Sequence, residues 1–397
     1  MKIMDIKADA IISHSDLLQR VRRIGEEVLQ PAAASVDRDA RFPHEAIAAL
    51  RQEGLLSAYV PREYGGLGCT VSELAAIAQT LAQYCASSAM IWVMHQIQVA
   101  CIVHHGQATP YFQQYLHELV EQQLLLASIT SEVGVGGDVR TSIAYVDEGE
   151  HGCRLEKKST AISYGAFADG FLATARRSSN AAASDQILVM LRDADTQLTA
   201  TGKWNPLGMR GTCSPSFSVS SSFPSECVLP TSFADISTET MVPFSHLLWS
   251  SCWLGIATNA LARARKFLQG KARQMRATSI PGDAHLVEAT GLLQLMQSTI
   301  DQAIQQYTNL LLLPAGQRED ALSDIGFTIT LNNVKTLSSQ LVVQIVQQAL
   351  QICGMAGYSE DSPFSVARHL RDAYSASLMI SNDRLNLTNA ALLLVYK

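Results

Sequence analysis

A continuous apolar stripe in the C-terminal third commits that part of the chain to a helical architecture. From residue 286 to residue 310, apolar side chains recur in steps of three and four, at positions 286, 289, 293, 296, 300, 303, 307 and 310. This spacing places them on one face of a helix of about seven turns, and that face must be buried against other helices. Breaks at Pro281-Gly282 and Pro314-Ala315-Gly316 bound the helix, so we predict an antiparallel bundle.

The pattern of the sequence changes twice along the chain. Residues from about 14 to 122 have helical periodicity, except for a turn at 60–68 that contains one proline and three glycines. From about 124 to 235, short apolar runs such as 186–191 are separated by Gly, Ser, Asn and Pro, which is typical of strands and turns. We therefore predict three units: an N-terminal helical domain (1–122), a middle β domain (123–235) and a C-terminal helical bundle (236–397).

Composition and charge exclude several classes of protein. The 397 residues are 47% apolar and 17% charged, which excludes intrinsic disorder. A net charge of -6 does not provide the excess of positive charge that binding to nucleic acid or to an anionic membrane requires. The eight cysteines do not have metal-ligand spacing, so we expect no metal site. The apolar stretch 247–262 is shorter than the roughly 18 residues that span a membrane, and residues 1–21 lack the apolar core of a secretory signal. We expect a cytoplasmic protein without membrane insertion.

Five groups of motifs stand in a characteristic order along the chain. They are Phe42-Pro43 with the glycine turn at 61–68, the loop 131–138, the segment 161–165, the segment 207–212, and Gln351 to Tyr358 followed by Arg371-Asp372. In this order and at these spacings, they resemble the signatures of the acyl-CoA dehydrogenase family over nearly the whole chain.

The resemblance implies a fold, a cofactor and an assembly. The implied fold is α+β and mainly α: the acyl-CoA dehydrogenase fold, with a helical domain, a β domain and a four-helix bundle. FAD would be held non-covalently between the β domain and the bundle. The protein would be a homodimer or a homotetramer, because a neighbouring subunit completes the adenine end of the family's site. An electron acceptor, which the sequence does not identify, would reoxidise the flavin.

The resemblance also assigns cofactor-binding residues. Hydroxyls and backbone N–H groups near Thr130 would stabilise negative charge on the reduced ring, and Arg273 would contact a phosphate of the flavin. Glycine at position 354 would let the backbone approach the pyrophosphate. The full implied set is Ser128, Thr130, Ser131, Gly137, Ser163, Arg273, Gln351 and Gly354.

The sequence departs from the family at the catalytic base. Most members have a Glu nine residues after the first Arg of the Arg-Asp element, and here that position is Ile380. The alternative position of branched-chain members is Ser245. Two ionisable residues lie close by, His246 and Asp383, and we predict that one of them is the catalytic proton acceptor. Two structural alternatives stay open: His246 caps or hydrogen-bonds at a helix start, and Asp383 pairs with an arginine.

These departures favour a divergent enzyme. Residues 369–385 resemble the branch that oxidises seryl or glyceryl groups, as thioesters on an acyl carrier protein, in secondary metabolism. We therefore predict a FAD-dependent dehydrogenase whose partner is an acyl thioester on a carrier protein or on CoA. The alternatives are an ordinary acyl-CoA α,β-dehydrogenase, a flavin-dependent monooxygenase on the same scaffold, and a binding protein without FAD.

Overall fold

The computed structural model describes residues 13–150, 152–275 and 281–396. Residues 1–12, on which the expectation about a secretory signal partly rests, lie outside this range. Helices make up the first third of the chain. They are α1 (His14–Ile24), α2 (Gln30–Arg38), α3 (His44–Gln52), α4 (Val71–Tyr84), α5 (Ala86–His105) and α6 (Pro110–Gln122). A capping box starts α4, where Thr70 and Glu73 each bond the other's backbone N–H.

Helix α5 is the centre of the N-terminal unit. Its sequence is apolar all round, and 18 of its 20 residues are buried, as expected of a helix enclosed by others. By length and composition α5 could cross a membrane, but 94% of its most apolar window is buried inside the protein. His95 joins this helix to the first strand, because one ring nitrogen lies 2.6 Å from the carbonyl of Leu56 and the other accepts from the N–H of Leu126 (2.9 Å).

Two sheets form the middle of the chain. Their strands are β1 (Leu126–Ile129), β2 (Val146–Gly149), β3 (Gly152–Ser159), β4 (Gly170–Arg176), β5 (Gln186–Arg192), β6 (Thr196–Ala200) and β7 (Phe217–Phe223). One sheet has the order β1-β4-β5, with β1 parallel to β4, and the other has the order β2-β3-β7-β6 and is antiparallel. Burial alternates along β3, so this strand has one solvated face, whereas β4 and β5 are buried on both faces.

Three long helices and five shorter ones form the last part of the chain, within the residues that the structure describes. They are α7 (Phe233–Ile236), α8 (Val242–Met275), α9 (Asp283–Leu311), α10 (Gln317–Leu322), α11 (Ile325–Cys353), α12 (Met355–Tyr358), α13 (Ala367–Tyr374) and α14 (Asn382–Leu393). Helices α8, α9 and α11 pack against one another, and α4 from the N-terminal unit packs on α8. Gly255 permits that last contact, since a Cβ there would lie 2.3 Å from the carbonyl oxygen of Gln79.

Candidate flavin and thioester site

Hydroxyl side chains form a polar edge where β1 ends. Ser128 lies in β1, and its Oγ is 3.2 Å from Oγ1 of Thr130. The Oγ of Ser131 is 2.7 Å from Oγ of Ser159, at the end of β3, and donates to the carbonyl of Ala161 (2.8 Å). The structure thus brings three of the predicted flavin residues together at a junction between the two sheets.

Ser163 extends this edge on the next segment. Its Oγ accepts a hydrogen bond from Oγ of Ser214 (2.9 Å), and the N–H of the following residue, Tyr164, donates to the carbonyl of Thr212 (2.7 Å). Tyr164 has a φ of 45°, in the left-handed region that non-glycine residues seldom occupy. The segments 161–165 and 207–212, which are separate motifs in the sequence, therefore form one unit.

Glu132 anchors the loop 131–138, which is the predicted flavin loop, from inside the β domain. Its buried carboxylate accepts from Oγ of Ser142 (2.6 Å) and from the backbone N–H groups of Ile143 (3.1 Å) and Ala144 (2.7 Å). The side chain of Lys157 has no exposed surface, and its Nζ lies 3.5 Å from Oε2 of Glu132. Burial lowers the pKa of Lys157 to about 8. Because Glu132 directly follows Ser131, these contacts fix the loop that carries the hydroxyls.

Asp372 joins the β domain to the bundle. Its Oδ1 accepts from the backbone N–H of Met209 (2.6 Å), and burial raises the pKa of its carboxyl to about 6, against the opposing effect of that hydrogen bond. The neighbouring Arg371 pairs with Asp37 and with Glu360 (2.5 Å). The Arg-Asp element is therefore a structural junction between distant parts of the chain.

The segment from Ile380 to Arg384 lies against the flavin loop. The guanidinium of Arg384 donates to the carbonyls of Gly137 and Gly136, the latter at 2.6 Å. Gly137 has a φ of 77° and its missing Cβ would sit 3.4 Å from that guanidinium. Asp383 is exposed, and it has no hydrogen bond or ion pair with any described residue. The predicted catalytic Asp383 thus lies on a segment that contacts the predicted Gly137, and the arginine pairing considered for it does not form.

His246 occupies a different environment, inside α8. The side chain is 1% exposed and neither ring nitrogen has a hydrogen bond of normal geometry within the described part of the chain. Burial first, and the positive charge of Lys335 second, lower its pKa to about 3, against a weaker effect of the Leu331 backbone. A near-neutral pKa, which would suit proton abstraction, is therefore not found at His246, because the ring is buried. A neutral imidazole with so low a pKa is a weak proton acceptor.

The remaining predicted cofactor residues lie at helix ends. Arg273 is exposed in the last turn of α8, and Gln351 is exposed near the end of α11. Gly354 follows α11 with a φ of 55° and a ψ of -133°, and nothing lies within 4 Å of the position of a Cβ there. None of these three residues contacts the polar edge at the end of β1. Their exposure leaves them available to a phosphate group or to a second subunit.

Four contacts at this site were not predicted from the sequence: those of Glu132, Lys157, Lys335 and Arg384. One signal was present, because Lys157 stands at an inward position of the alternating strand β3, where a charged side chain needs a buried partner. The others depend on contacts between residues far apart in the chain, which periodicity does not report.

The chain matches two models of one family. Residues 13–123 match the acyl-CoA dehydrogenase N-terminal domain, and residues 248–379 match the acyl-CoA dehydrogenase C-terminal domain, so the two together cover more than half of the chain. The chain belongs to the acyl-CoA dehydrogenase family. A probable acyl-CoA dehydrogenase, FadE25 of Mycobacterium tuberculosis, is 24% identical over 366 residues, which are 91% of this chain and 90% of that protein.

Solved structures have the same fold. Butyryl-CoA dehydrogenase from Megasphaera elsdenii has a TM-score of 0.75 at 23% identity and covers 98% of this chain and 100% of its own. FMN-bound TdsC from Paenibacillus sp. A11-2 has a TM-score of 0.82 at 19% identity, with 96% and 97% covered. The predicted α+β, mainly α, acyl-CoA dehydrogenase fold is confirmed.

This acyl-CoA dehydrogenase family member is an oxidoreductase with a flavin cofactor, typically FAD in the family. The residues present fit that group. The hydroxyls of Thr130 and Ser163 can donate to the polar edge of the ring, and the exposed guanidinium of Arg273 can pair with a phosphate. Which residues hold the cofactor and which accepts the proton remain predictions.

Proposed function

We propose that this chain oxidises a hydroxyl-bearing acyl group held as a thioester on an acyl carrier protein. The observation that carries the proposal is the family base position. Ile380 stands there with a φ of 46°, and its carbonyl is bound by Lys335 (2.7 Å). Since Ile380 cannot accept a proton, abstraction from the α-carbon lacks its usual base.

Oxidation of an alcohol requires a base at a different position from α,β-dehydrogenation. FAD, when bound, supplies the acceptor for the hydride that leaves the β-carbon. The proton then leaves from the hydroxyl oxygen and not from the α-carbon, so a carboxylate at a different position from the usual base can serve. The alcohol loses one hydride and one proton and becomes an aldehyde. An external electron acceptor then reoxidises the flavin.

We assign the proton to Asp383 in preference to His246. Asp383 lies in the first turn of α14, exposed and without a partner in the described residues, beside the arginine that contacts the flavin loop. His246 is buried, and its lowered pKa of about 3 makes it a weak acceptor. The unpaired carboxylate on the segment that replaces the family base therefore supports the assignment better.

The test is reduction of bound FAD under anaerobic conditions by four thioesters. These are a seryl-carrier thioester, a glyceryl-carrier thioester, the matching glyceryl-CoA and butyryl-CoA. Bleaching by the hydroxyl-bearing carrier thioesters, and not by butyryl-CoA, is expected. Bleaching by butyryl-CoA alone would identify an ordinary α,β-dehydrogenase, and faster bleaching by glyceryl-CoA than by its carrier form would remove the carrier protein from the proposal.

A flavin-dependent monooxygenase is the second candidate. The absence of a carboxylate at both family base positions, Ile380 and Ser245, is compatible with it too, because oxygen insertion needs no α-proton base. Solved structures with this fold include a dibenzothiophene monooxygenase. Oxygen-dependent product formation with separately supplied reduced flavin, and no bleaching by any thioester, would support this candidate against the first.

A further inference from the structure

Lys335 is a fully buried cation in the bundle. It lies in α11, has no exposed surface, and its Nζ donates to the carbonyl of Ile380 (2.7 Å) and to Oδ1 of Asn382 (2.8 Å). The ring of Trp253 in α8 lies on another side, with its centroid 5.9 Å from Nζ. All three neighbours are uncharged, and no described carboxylate pairs with this ammonium.

A cation in this position is not explained by stability. Removing an ammonium from water costs free energy, and apolar replacement of buried charged groups often leaves stability unchanged or raises it. Burial alone lowers the pKa of Lys335, to about 8. The role of Lys335 is therefore to be sought in the segment that its ammonium binds.

Lys335 binds the segment that carries Asp383. Lys335 binds the carbonyl of Ile380, a non-glycine residue in the left-handed region, which requires support from its surroundings. Asn382, the first residue of α14, exchanges side-chain hydrogen bonds with Ser339 (2.9 and 3.3 Å). Two residues further on, Arg384 binds the glycine loop of the β domain. A continuous path of contacts thus runs from α11 through this segment to the flavin loop.

We propose that Lys335 is a positioning residue that holds the segment 380–384, and through it the loop 134–138, in the geometry needed for proton transfer. The inference rests on the proposed function only for the role of Asp383. The positioning itself concerns contacts within the chain and can be measured without a substrate.

The experiment compares Lys335→Met with Asn332→Leu in the FAD-loaded protein. Asn332 lies one turn earlier on α11 and donates to Oδ1 of Asn389 (2.8 Å), so its variant removes a buried contact between the same two helices but away from the segment. Amide hydrogen exchange is followed by mass spectrometry. In Lys335→Met we expect exchange in 380–384 and 134–138 to rise at least about tenfold, whereas in Asn332→Leu the rise is confined to 385–393.

A second readout separates positioning from general loosening. Lys335→Met is expected to slow anaerobic flavin reduction by up to about 100-fold, while the dissociation constant of the reducing thioester changes less than about threefold. The melting temperature should stay within about 4 °C of the parent. Lys335→Gln, which keeps a donor, should recover part of the rate, and it replaces Lys335→Met in the exchange measurement if that variant does not fold.

Two results would overturn the inference: unchanged exchange at both segments in Lys335→Met, or the same changes in Asn332→Leu. Increased exchange with an unchanged rate of flavin reduction would also overturn it. If no thioester reduces the flavin of the parent protein, the proposed function fails, but the exchange comparison still decides whether Lys335 holds the segment.

Discussion

Glu132 and Lys157 form an ion pair with almost no exposure directly behind Ser131. In Lys157→Met, the carboxylate of Glu132 remains buried without its cation, so we expect a loss of about 3 kcal/mol in the free energy of unfolding. Urea denaturation measures this loss. The double variant Glu132→Gln/Lys157→Met distinguishes loss of the ion pair from loss of the aliphatic stem of Lys157. It should recover at least half of the lost free energy of unfolding. A double variant less stable than the single one would show that the pair is not the cause.

His246 gives the stability a predictable dependence on pH. Its pKa is about 3 in the folded protein, below the ordinary 6.5, so the neutral form is favoured by folding. This contribution is fully present above pH 6.5 and is lost as the pH falls towards 3, by at most about 1.4 kcal/mol per pH unit. Urea denaturation at pH 6.5 and 5.5 should therefore show a smaller decrease in His246→Leu than in the parent. Equal decreases would mean that His246 is not buried as described.

At the scale of the helices, the close approach of α4 to α8 depends on a single small residue, Gly255. Gly255→Ala would place a Cβ 2.3 Å from the carbonyl of Gln79, and we expect a loss of about 1 to 3 kcal/mol in the free energy of unfolding. Gly291→Ala in α9 is the matched control, since nothing lies within 4 Å of its Cβ position, and it should gain up to about 1 kcal/mol. Thermal or urea unfolding of both variants tests the contact, and a stable Gly255→Ala protein would contradict it.

Periodicity predicted the elements better than their contacts. Of the eight stripe positions in 286–310, five are buried, Ala289, Met296, Ile300, Ala303 and Tyr307, and the other three pack partly buried against the core. Such a face is readable because it repeats every turn. The bond from Lys335 to Ile380 joins residues 45 positions apart and has no local repeat, so no sequence pattern reports it. The same holds for the low pKa of His246, which depends on the helices that cover it.

At the scale of the whole molecule, we predict that the retention of FAD depends on the oligomeric state. We expect about one FAD per chain in a homodimer or homotetramer, because the exposed Gln351 and Gly354 resemble an intersubunit pyrophosphate contact. FAD retention should then fall when the protein is diluted into monomers. Analytical ultracentrifugation that follows flavin absorbance measures both properties, and a monomer that retains FAD at full occupancy would contradict the link.

Arg273 tests the phosphate end of the site. A charge-assisted hydrogen bond contributes roughly 1.5 to 3 kcal/mol, so Arg273→Ala should weaken FAD binding by about 10- to 100-fold. Lys266→Ala, an exposed cation two turns earlier on α8, is the control and should leave the affinity unchanged. Equal FAD affinity in the parent and Arg273→Ala would remove Arg273 from the site.

The central claim is that Asp383 accepts the proton when the thioester is oxidised, and stopped-flow reduction of the bound flavin tests it most directly. The measurement uses a glyceryl-carrier thioester without oxygen, with the parent, Asp383→Asn and His246→Ala, each first shown to retain FAD. Loss of a positioned base typically removes 10²- to 10⁴-fold of rate, or about 3 to 5 kcal/mol of barrier. We predict that loss in Asp383→Asn and a rate within about tenfold of the parent in His246→Ala. A rate in Asp383→Asn within tenfold of the parent would contradict the claim.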